Sequence, residues 1–329
     1  MTAEASSYAI IFPVAAILLT VVLIPLVRRL AIYAGYVDEP GGRKTHAEPI
    51  PPIGGIVVFS VFMALSAFLP SELGDIRAFY AALVLVLVTG IIDDAKPVNA
   101  KLKFLIHFMA AGLVVIFGGA QIETLGDLLG FGDMQLGTIA ATLFSVACVV
   151  YIINAINMMD GLDGLAGGKC LIILLWLMGA CAVDAWWQAF AGLATLAGAL
   201  VGFLIYNMRH PFRSRAAIFL GDAGSMALGL SIAWFAIGLS QGDHPVMAPV
   251  SVAWIIALPI IDAFALLVTR LKEGKHPFEP DRRHFHHHFV NAGFSVRHST
   301  MLILLLGATL GAIGFFGLMA GIPEPVLGW

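Results

Sequence analysis

The chain has 329 residues, of which 60% are hydrophobic and only 12% are charged. So few charges could not cover a water-soluble domain, which excludes an ordinary soluble protein. The formal net charge of −3 says little about partners, because the distribution of charge between loops matters more. We expect a membrane partner and no nucleic acid.

Apolar runs long enough to cross ~30 Å of hydrocarbon recur along the chain. We predict one all-α integral membrane domain over residues 1–329, a polytopic helical bundle, whose first span is retained because no basic segment precedes it. The three cysteines fall within apolar runs, without disulfide or metal-ligand spacing. The ten predicted spans are 8–27, 53–70, 78–92, 104–120, 136–153, 168–184, 188–206, 224–240, 247–269 and 300–320.

Consecutive spans place the connecting loops on alternating faces of the membrane. Every lysine and arginine except Arg77 then falls on one face. Because short basic loops stay in the cytoplasm, we expect this face to be cytoplasmic and both termini to be external. The segments on it are 28–53, 93–103, 154–169, 207–222 and 270–299.

The first cytoplasmic segment contains Arg43, Lys44 and His46, and prolines and glycines then return the chain to the membrane. The basic residues either bind phosphates or only enforce topology. Topology is sufficient for Arg43, whereas Lys44 and His46 are candidate substrate ligands.

Two adjacent carboxylates, Asp93 and Asp94, end the third predicted span. They would repel each other at a membrane boundary unless a divalent metal or a cationic group neutralised them. The alternative is a solvated acidic loop, because three lysines follow in the same segment. These are Lys96, Lys101 and Lys103. The motif alone does not decide between the two.

The next cytoplasmic segment brings Asn154, Asn157, Asp160 and Asp163 together. Asp160 and Asp163 would share a face if helical, and the glycines nearby allow a ligand to approach the backbone closely. These are also ordinary turn residues, so a capped turn is the alternative. Two asparagines and two aspartates exceed what a turn needs, which favours a function.

Asp222 opens the eighth predicted span, after Asn207 and three arginines. It could cap the helix beside Ser225. It could equally bind Mg²⁺, which usually takes one or two carboxylates and completes its octahedron with water and substrate phosphates. A carboxylate near membrane depth favours the functional interpretation.

Four histidines lie within 284–288 of the last cytoplasmic segment, directly after Arg282 and Arg283. No cysteine or glutamate accompanies them at zinc-site spacing. Histidine beside arginine suits phosphate oxygens instead. Phe285 and Phe289 would tether this segment to an apolar surface.

Two further polar residues lie inside predicted spans. Asp262 in the ninth span must face the bundle interior, and we interpret it as a helix-packing partner first and a site residue second. His107, early in the fourth span, is more typical of a core or boundary histidine than of a ligand.

Five motifs, in order and on one predicted face, resemble those of the polyprenyl-phosphate N-acetylhexosamine-1-phosphate transferases. The resemblance covers nearly the whole chain. Around the histidines it is strongest to the branch that uses UDP-N-acetylglucosamine and undecaprenyl phosphate, at the start of O-antigen, enterobacterial common antigen or teichoic-acid linkage synthesis. The motifs are 42–46 with 52–55, 93–94, 157–166, 219–225 and 281–287.

This resemblance implies an enzyme of the bacterial plasma membrane that requires Mg²⁺, with Mn²⁺ as a substitute. A lipid phosphate would attack the β-phosphorus of the UDP-sugar and release UMP. Relatives of this kind suggest a homodimer. Another UDP-N-acetylhexosamine or UDP-MurNAc-pentapeptide is the alternative donor, and a covalent aspartyl route is the alternative mechanism.

The implied roles follow from bringing two anionic substrates together. Asp222 and Asp94 would hold the metal, or Asp93 in place of Asp94, and the other member of the pair would deprotonate or orient the lipid phosphate. His284 is a third candidate catalytic residue. The candidate substrate ligands are Lys44, His46, Lys101, Lys103, Asn157, Asp160, Asp163, Asn207, Arg282, His286 and His287.

A secondary transporter is the alternative from another class, because transporters also carry ionisable residues inside helical bundles. Their sites lie near the midplane between repeats. Here the carboxylates cluster at one face and no repeat is apparent, which favours the enzyme. The enzyme hypothesis requires Asp93, Asp94 and Asp222 to converge in space.

Overall fold

The computed structural model describes residues 3–39, 48–70, 73–274 and 283–328. Over these ranges the chain is helical, without a β-strand, which confirms the predicted all-α membrane bundle. A π-helical turn, Leu113–Phe117, extends α4. The helices are α1 (Ala3–Tyr33), α2 (Gly54–Ser66), α3 (Ile76–Ala95), α4 (Ala100–Gly112), α5 (Thr138–Met159), α6 (Leu165–Val183), α7 (Trp187–Asn207), α8 (Gly221–Ser240), α9 (Pro249–Ile255), α10 (Ala257–Lys272), α11 (Phe285–Asn291), α12 (Val296–Met319) and α13 (Glu324–Gly328).

The described helices support a multi-pass membrane protein. Eight are long and apolar enough to cross a bilayer: α1, α3, α4 with its π turn, α5, α6, α7, α8 and α12. The second predicted span corresponds to α2, whose 13 residues fall short of the ~20 needed for a crossing. The ninth corresponds to α9 and α10, which meet at an angle of 76°. The count of ten crossings therefore stays a prediction.

Pro259 accounts for the break between α9 and α10. Its ring carries no N–H and would clash with the carbonyl four residues earlier, on Ile255. Lys169 Nζ donates to this Ile255 oxygen at 3.4 Å and to Gly307 O at 3.2 Å. The sequence placed Lys169 at the end of a cytoplasmic loop. The residue also falls in the sixth predicted span, 168–184, and the structure places it in α6, fully buried.

Helix α8 forms the centre of the bundle, and nearly all of its residues are buried. Glycines bring its first turn close to the neighbouring helices. A Cβ on Gly55 of α2 would overlap Gly224, and a Cβ on Gly90 of α3 would overlap Ala223. The close packing of small residues places the start of α2 and the end of α3 directly against the start of α8.

The cysteines play no bonding role in this bundle. Cys148, Cys170 and Cys181 are all free, which agrees with the absence of disulfide spacing in the sequence. Cys170 and Cys181 are buried among apolar side chains, as small core residues.

Candidate functional site

Lys103 lies between two of the predicted carboxylates. Its Nζ is 2.6 Å from Asp93 Oδ2 and 3.4 Å from Asp222 Oδ2. The backbone N–H of Val98 also donates to Asp93, at 2.6 Å. These contacts join the end of α3 to the starts of α4 and α8. The Asp222 side chain remains 35% exposed, whereas that of Asp93 is only 7% exposed, so Asp222 is the more open of the two to a ligand.

Asp94 faces the backbone of α8. Its two oxygens accept the N–H groups of Asp222 at 2.8 Å and of Ala223 at 3.2 Å. Gly221 permits this approach, because its φ of +77° favours glycine and a Cβ there would lie 2.6 Å from Asp94 Oδ2. Asp94 thus supplies, from another helix, the cap that the first turn of α8 lacks.

Asn157 fixes the other side of Asp222. Its Nδ2 donates to Asp222 Oδ1 at 2.9 Å and to Ser225 Oγ at 2.9 Å. Ser225 Oγ in turn donates to Gly221 O at 3.1 Å. The orientation of the Asp222 carboxylate is therefore set by Asn157 on one oxygen and by Lys103 on the other.

Tyr36 belongs to this group, and sequence reasoning missed it. The residue follows the spanning part of α1, and burial together with the nearby Asp94 and Asp222 carboxylates raises the pKa of its phenol. Its hydroxyl therefore stays protonated and able to donate at neutral pH. No motif marks Tyr36; only its place just beyond the first apolar run could have suggested it.

Asp163 holds two loops together. Its Oδ2 accepts from Arg209 Nε at 2.6 Å and from the backbone N–H of Ala216 at 3.2 Å. Thr300 Oγ1 donates to the Asp163 carbonyl at 3.2 Å. The carboxylate is thus engaged by the α7–α8 loop, so in this structure Asp163 shapes the site through that loop.

Asn207 makes a second link between the same loops. Its Oδ1 accepts the N–H of Gly164 at 2.8 Å, and its Nδ2 donates to Ile218 O at 2.9 Å. The side chain is buried. Asn207 therefore braces the start of α6 against the segment that leads to Asp222.

Asp160 ends α5 and is exposed to solvent at the edge of the carboxylate group. The surrounding protein, followed by the negative charges of Asp222, Asp94 and Asp163, raises the pKa of its carboxyl. Water reaches Asp160, yet the site around it is strongly negative. Such a site favours a cation.

Asp262 orients His284. Its Oδ2 lies 3.2 Å from His284 Nδ1, and its Oδ1 accepts the N–H of Phe285 at 2.9 Å. Both side chains are nearly buried. Asp262 therefore caps α11 and fixes the His284 ring, a more specific role than the helix packing expected from the sequence.

The histidines reach the carboxylate group through Gly161. A Cβ on Gly161 would overlap the His286 ring, so this ring rests against the turn after Asp160. His286 also stacks on His284 at 5.7 Å and contacts His287 at 4.2 Å between ring centroids. Burial and the two neighbouring imidazoles lower the pKa of His286 to about 3. His286 is thus a neutral hydrogen-bonding group rather than a cation.

Four candidate substrate ligands remain. Lys44, His46 and Arg282 lie outside the described residues. Lys101 is exposed in the first turn of α4, where its backbone N–H donates to Asn99 Oδ1 at 2.9 Å.

His107 is buried in the core, as the sequence suggested. Its Nε2 lies 3.0 Å from Met226 Sδ, and its Nδ1 lies 3.2 Å from Asn154 Nδ2. These contacts join α4 to α5 and α8 directly behind the carboxylate group.

A magnesium ion fits the donors at Lys103 better than a zinc ion would. Within the described ranges, no three His, Cys, Asp or Glu side chains group closely enough to form a metal site of their own. Mg²⁺ needs only one or two carboxylates when water and phosphate oxygens supply the rest. Asp93 and Asp222 already share one cation, the Lys103 ammonium. Asp94 fits less well, because both of its oxygens accept backbone amides.

Comparison with known proteins gives a consistent result. Residues 76–240 match the model of glycosyl transferase family 4. Three relatives bear the name undecaprenyl-phosphate alpha-N-acetylglucosaminyl 1-phosphate transferase. That of Yersinia pestis is 33% identical over 91% of this chain and 82% of its own length. That of Escherichia coli K12 is 32% identical over 90% and 80%, and that of Haemophilus influenzae Rd is 34% identical over 89% and 82%.

Proposed function

Because the chain belongs to glycosyl transferase family 4, we propose that it transfers N-acetylglucosamine 1-phosphate from UDP-N-acetylglucosamine to undecaprenyl phosphate. A phosphate oxygen of the lipid forms a bond to the β-phosphorus of the donor. The bond from that phosphorus to the bridging oxygen breaks, and UMP leaves. The product is undecaprenyl-diphospho-N-acetylglucosamine.

The observation that carries this proposal is the Asp93–Lys103–Asp222 group at the end of an apolar bundle. Two anionic substrates, one of them a lipid, must meet at the edge of a membrane. That reaction needs cations and carboxylates at a helix boundary, with apolar surface beside them for the prenyl chain. A soluble glycosyl transferase would not need this combination.

Mg²⁺ would be held by Asp222 with Asp93, and when bound it would neutralise the crowded diphosphate oxygens as a Lewis acid. Lys103 then gains a second function. With Asp93 and Asp222 engaged by a metal, the ammonium of Lys103 would be free to bind a phosphate oxygen. Asp94 acts by holding the first turn of α8, and therefore the backbone of Asp222, in place.

With Asp93 assigned to the metal and Asp94 to the backbone of α8, neither of the adjacent carboxylates is left as a separate base for the lipid phosphate. A phosphate monoester is already largely ionised at neutral pH, because its second pKa is ~6. Proton removal therefore contributes less to the rate than positioning and charge neutralisation do. His284, held by Asp262, would donate a hydrogen bond to the diphosphate or the sugar.

We propose that the site faces the cytoplasm of a bacterial cell from the inner membrane, with both termini outside. Cytoplasmic UDP-sugars would have direct access to it. The basic residues at this end of the bundle, such as Arg28, Lys103 and Arg209, support the orientation. A homodimer is part of the same proposal, and size-exclusion chromatography with light scattering of the purified protein would test it.

The test is UMP release by purified protein supplied with undecaprenyl phosphate, UDP-N-acetylglucosamine and Mg²⁺. Asp222→Asn should lower turnover on the order of 100-fold or more, as loss of a group that stabilises charge in a transition state does. Asp243→Asn is the matched control, because Asp243 lines a cavity beside Asp184, at the opposite end of α6. Wild-type turnover by Asp222→Asn would remove Asp222 from the metal site.

A panel of UDP-sugars tests the donor. UDP-N-acetylglucosamine should give the most lipid-linked product, and faster reaction with another UDP-N-acetylhexosamine or with UDP-MurNAc-pentapeptide would reassign the substrate. Flux of a solute across proteoliposomes without any UMP release would instead indicate a transporter.

A further inference from the structure

A short hairpin on the same face as the site exposes an aromatic residue at its tip. The chain reverses at Pro211 and Phe212, where backbone hydrogen bonds of 2.9 and 2.8 Å join His210 and Arg213 in both directions. The tip residue, Phe212, is 96% exposed. Transfer of this apolar ring from water to an apolar phase would be favourable. We call residues 209–216 the Arg213 hairpin.

The base of this hairpin lies at the membrane boundary. It follows α7, which crosses the membrane and ends at Asn207. Arg28 Nε donates to Ala217 O at 3.1 Å, and Arg28 belongs to the last turns of the spanning segment of α1. The hairpin is therefore level with the end of a transmembrane helix.

The hairpin also lies at the periphery of the bundle, beside lipid. Its neighbour α1 exposes a row of large apolar side chains along its outer surface, including Leu18, Val22, Leu26 and Leu30. Within a bilayer these side chains contact acyl chains. A hairpin braced against this helix reaches the headgroup region directly.

Arg213 supplies one of the three positive charges of the hairpin. Its guanidinium lies over the Tyr206 ring, 5.4 Å from the centroid, and its Nε is buried without a hydrogen-bond acceptor. Within the described part of the chain, Arg213 forms no ion pair. The other two arginines of the hairpin differ, because Arg209 pairs with Asp163 and Arg215 pairs with Glu48. Arg213 is thus the hairpin arginine whose charge is not neutralised by another described residue.

We propose that the Arg213 hairpin is an interfacial anchor that inserts Phe212 between lipid headgroups and binds the phosphate of an anionic lipid through Arg213. An aromatic ring favours the interfacial depth, and arginine favours phosphate geometry. The exposed Arg29 at the end of α1 adds charge on the same side. The partner is the anionic bilayer surface itself.

The anchor is coupled to the candidate site. Arg209 and Ala216, at the two ends of the hairpin, both donate to the same oxygen of Asp163. The hairpin that contacts the bilayer therefore also holds the loop that follows Asp160. This link places the site at a fixed depth relative to the phosphate layer.

Photo-crosslinking of the full-length protein in nanodiscs tests the anchor. Benzoylphenylalanine replaces Phe212, and lipid adducts are measured by mass spectrometry in phosphatidylcholine alone and in a mixture with phosphatidylglycerol. The adduct yield should rise about fivefold in the anionic bilayer, the factor that one arginine near an anionic leaflet contributes. Arg213→Gln should abolish most of this rise. Arg213→Lys retains a positive charge and should keep part of it, which serves as the control for an intact fold.

The matched control places benzoylphenylalanine at Phe131, which is 95% exposed in a loop without lysine or arginine. Its adduct yield should not rise with phosphatidylglycerol. Absence of lipid adducts at position 212, or equal yields in both bilayers, would overturn the proposal. Suppression of the adduct by UMP would also overturn it, because Phe212 would then belong to the nucleotide site. No step depends on turnover, so failure here leaves the proposed transfer reaction untouched.

Discussion

The carboxylate of Asp94 accepts the backbone N–H of Asp222 at 2.8 Å, so one aspartate of the site fixes the position of another. The two residues are far apart in sequence and belong to α3 and α8. This bond therefore connects the reactive end of the molecule to α8, the buried helix at the centre of the bundle.

Asp94→Ala should therefore impair the site through α8. Loss of a charge-assisted acceptor leaves two helix-terminal amides without a partner, at a cost of about 1–3 kcal/mol in the free energy of unfolding. We expect a lower midpoint of thermal unfolding in detergent and a higher Mg²⁺ concentration at half-maximal UMP release. Asp94→Asn keeps one acceptor oxygen, so its thermal midpoint and its Mg²⁺ dependence should both lie between those of Asp94→Ala and the wild type. Asp94→Ala with wild-type stability and metal dependence would show that the cap is unimportant.

Lys103→Gln should strengthen metal binding and at the same time lower turnover. The ammonium competes with a metal for Asp93 and Asp222, so its removal should strengthen Mn²⁺ binding to the substrate-free protein, measured by electron paramagnetic resonance. Turnover should nevertheless fall on the order of 100-fold, because a cation that stabilises phosphate charge is lost.

Lys101→Gln is the control for Lys103, since Lys101 is exposed and lies two residues earlier in the same helix. It should leave metal binding unchanged. Weaker Mn²⁺ binding in Lys103→Gln would contradict the competition between the ammonium and the metal.

Gly161→Ala should displace His286. The added methyl group would overlap the buried imidazole, and overpacking of this kind costs about 1–3 kcal/mol. We expect a lower midpoint of thermal unfolding and reduced UMP release. Gly112→Ala in α4 is the control, because a Cβ there meets no atom within 4 Å; it should change the free energy of unfolding by less than about 1 kcal/mol. Equal behaviour of the two variants would argue against the contact between His286 and Gly161.

Stability should fall on acidification in part because of His286. Burial and the neighbouring histidines lower the pKa of this residue to about 3, whereas an unfolded chain titrates near 6.5. Between these values the unfolded state binds more protons at His286 than the folded state does. Its contribution to stability is therefore fully present above pH ~6.5 and is lost as the pH falls toward ~3.

His286→Asn should flatten the fall of the thermal midpoint between pH ~6.5 and ~4. His288→Asn, at an exposed position of α11, should keep the wild-type slope. A wild-type slope in His286→Asn would mean that the ring is not held neutral.

The sequence was sufficient to predict the helical class and the face on which the polar residues gather. Apolar run length and the asymmetry of basic loops carry that information locally. The partners of Asp94, Asp163 and Asn207 could not be predicted, because they are backbone amides or carbonyls brought close only by folding. In the sequence these three side chains look like candidate ligands, as Asp93 and Asp222 do. The structure shows that the three hold backbone segments in place, whereas Asp93 and Asp222 share Lys103.

The buried contacts of Lys169 could not be predicted from the local sequence either. Its positive charge next to a glycine-rich loop favoured a cytoplasmic position by the ordinary rule for basic residues. The carbonyl that it meets is freed by Pro259, in a helix ninety residues further along the chain. A rule based on local charge could not anticipate a buried partner of this kind.

The fate of the β-phosphate of the donor distinguishes transfer of the sugar phosphate from transfer of the sugar alone. Purified protein is incubated with undecaprenyl phosphate, Mg²⁺ and UDP-N-acetylglucosamine labelled with ³²P at the β-position. We expect the label to move to the lipid fraction while unlabelled UMP accumulates in equal amount. Recovery of the label in UDP, with the sugar alone transferred to the lipid, would contradict it.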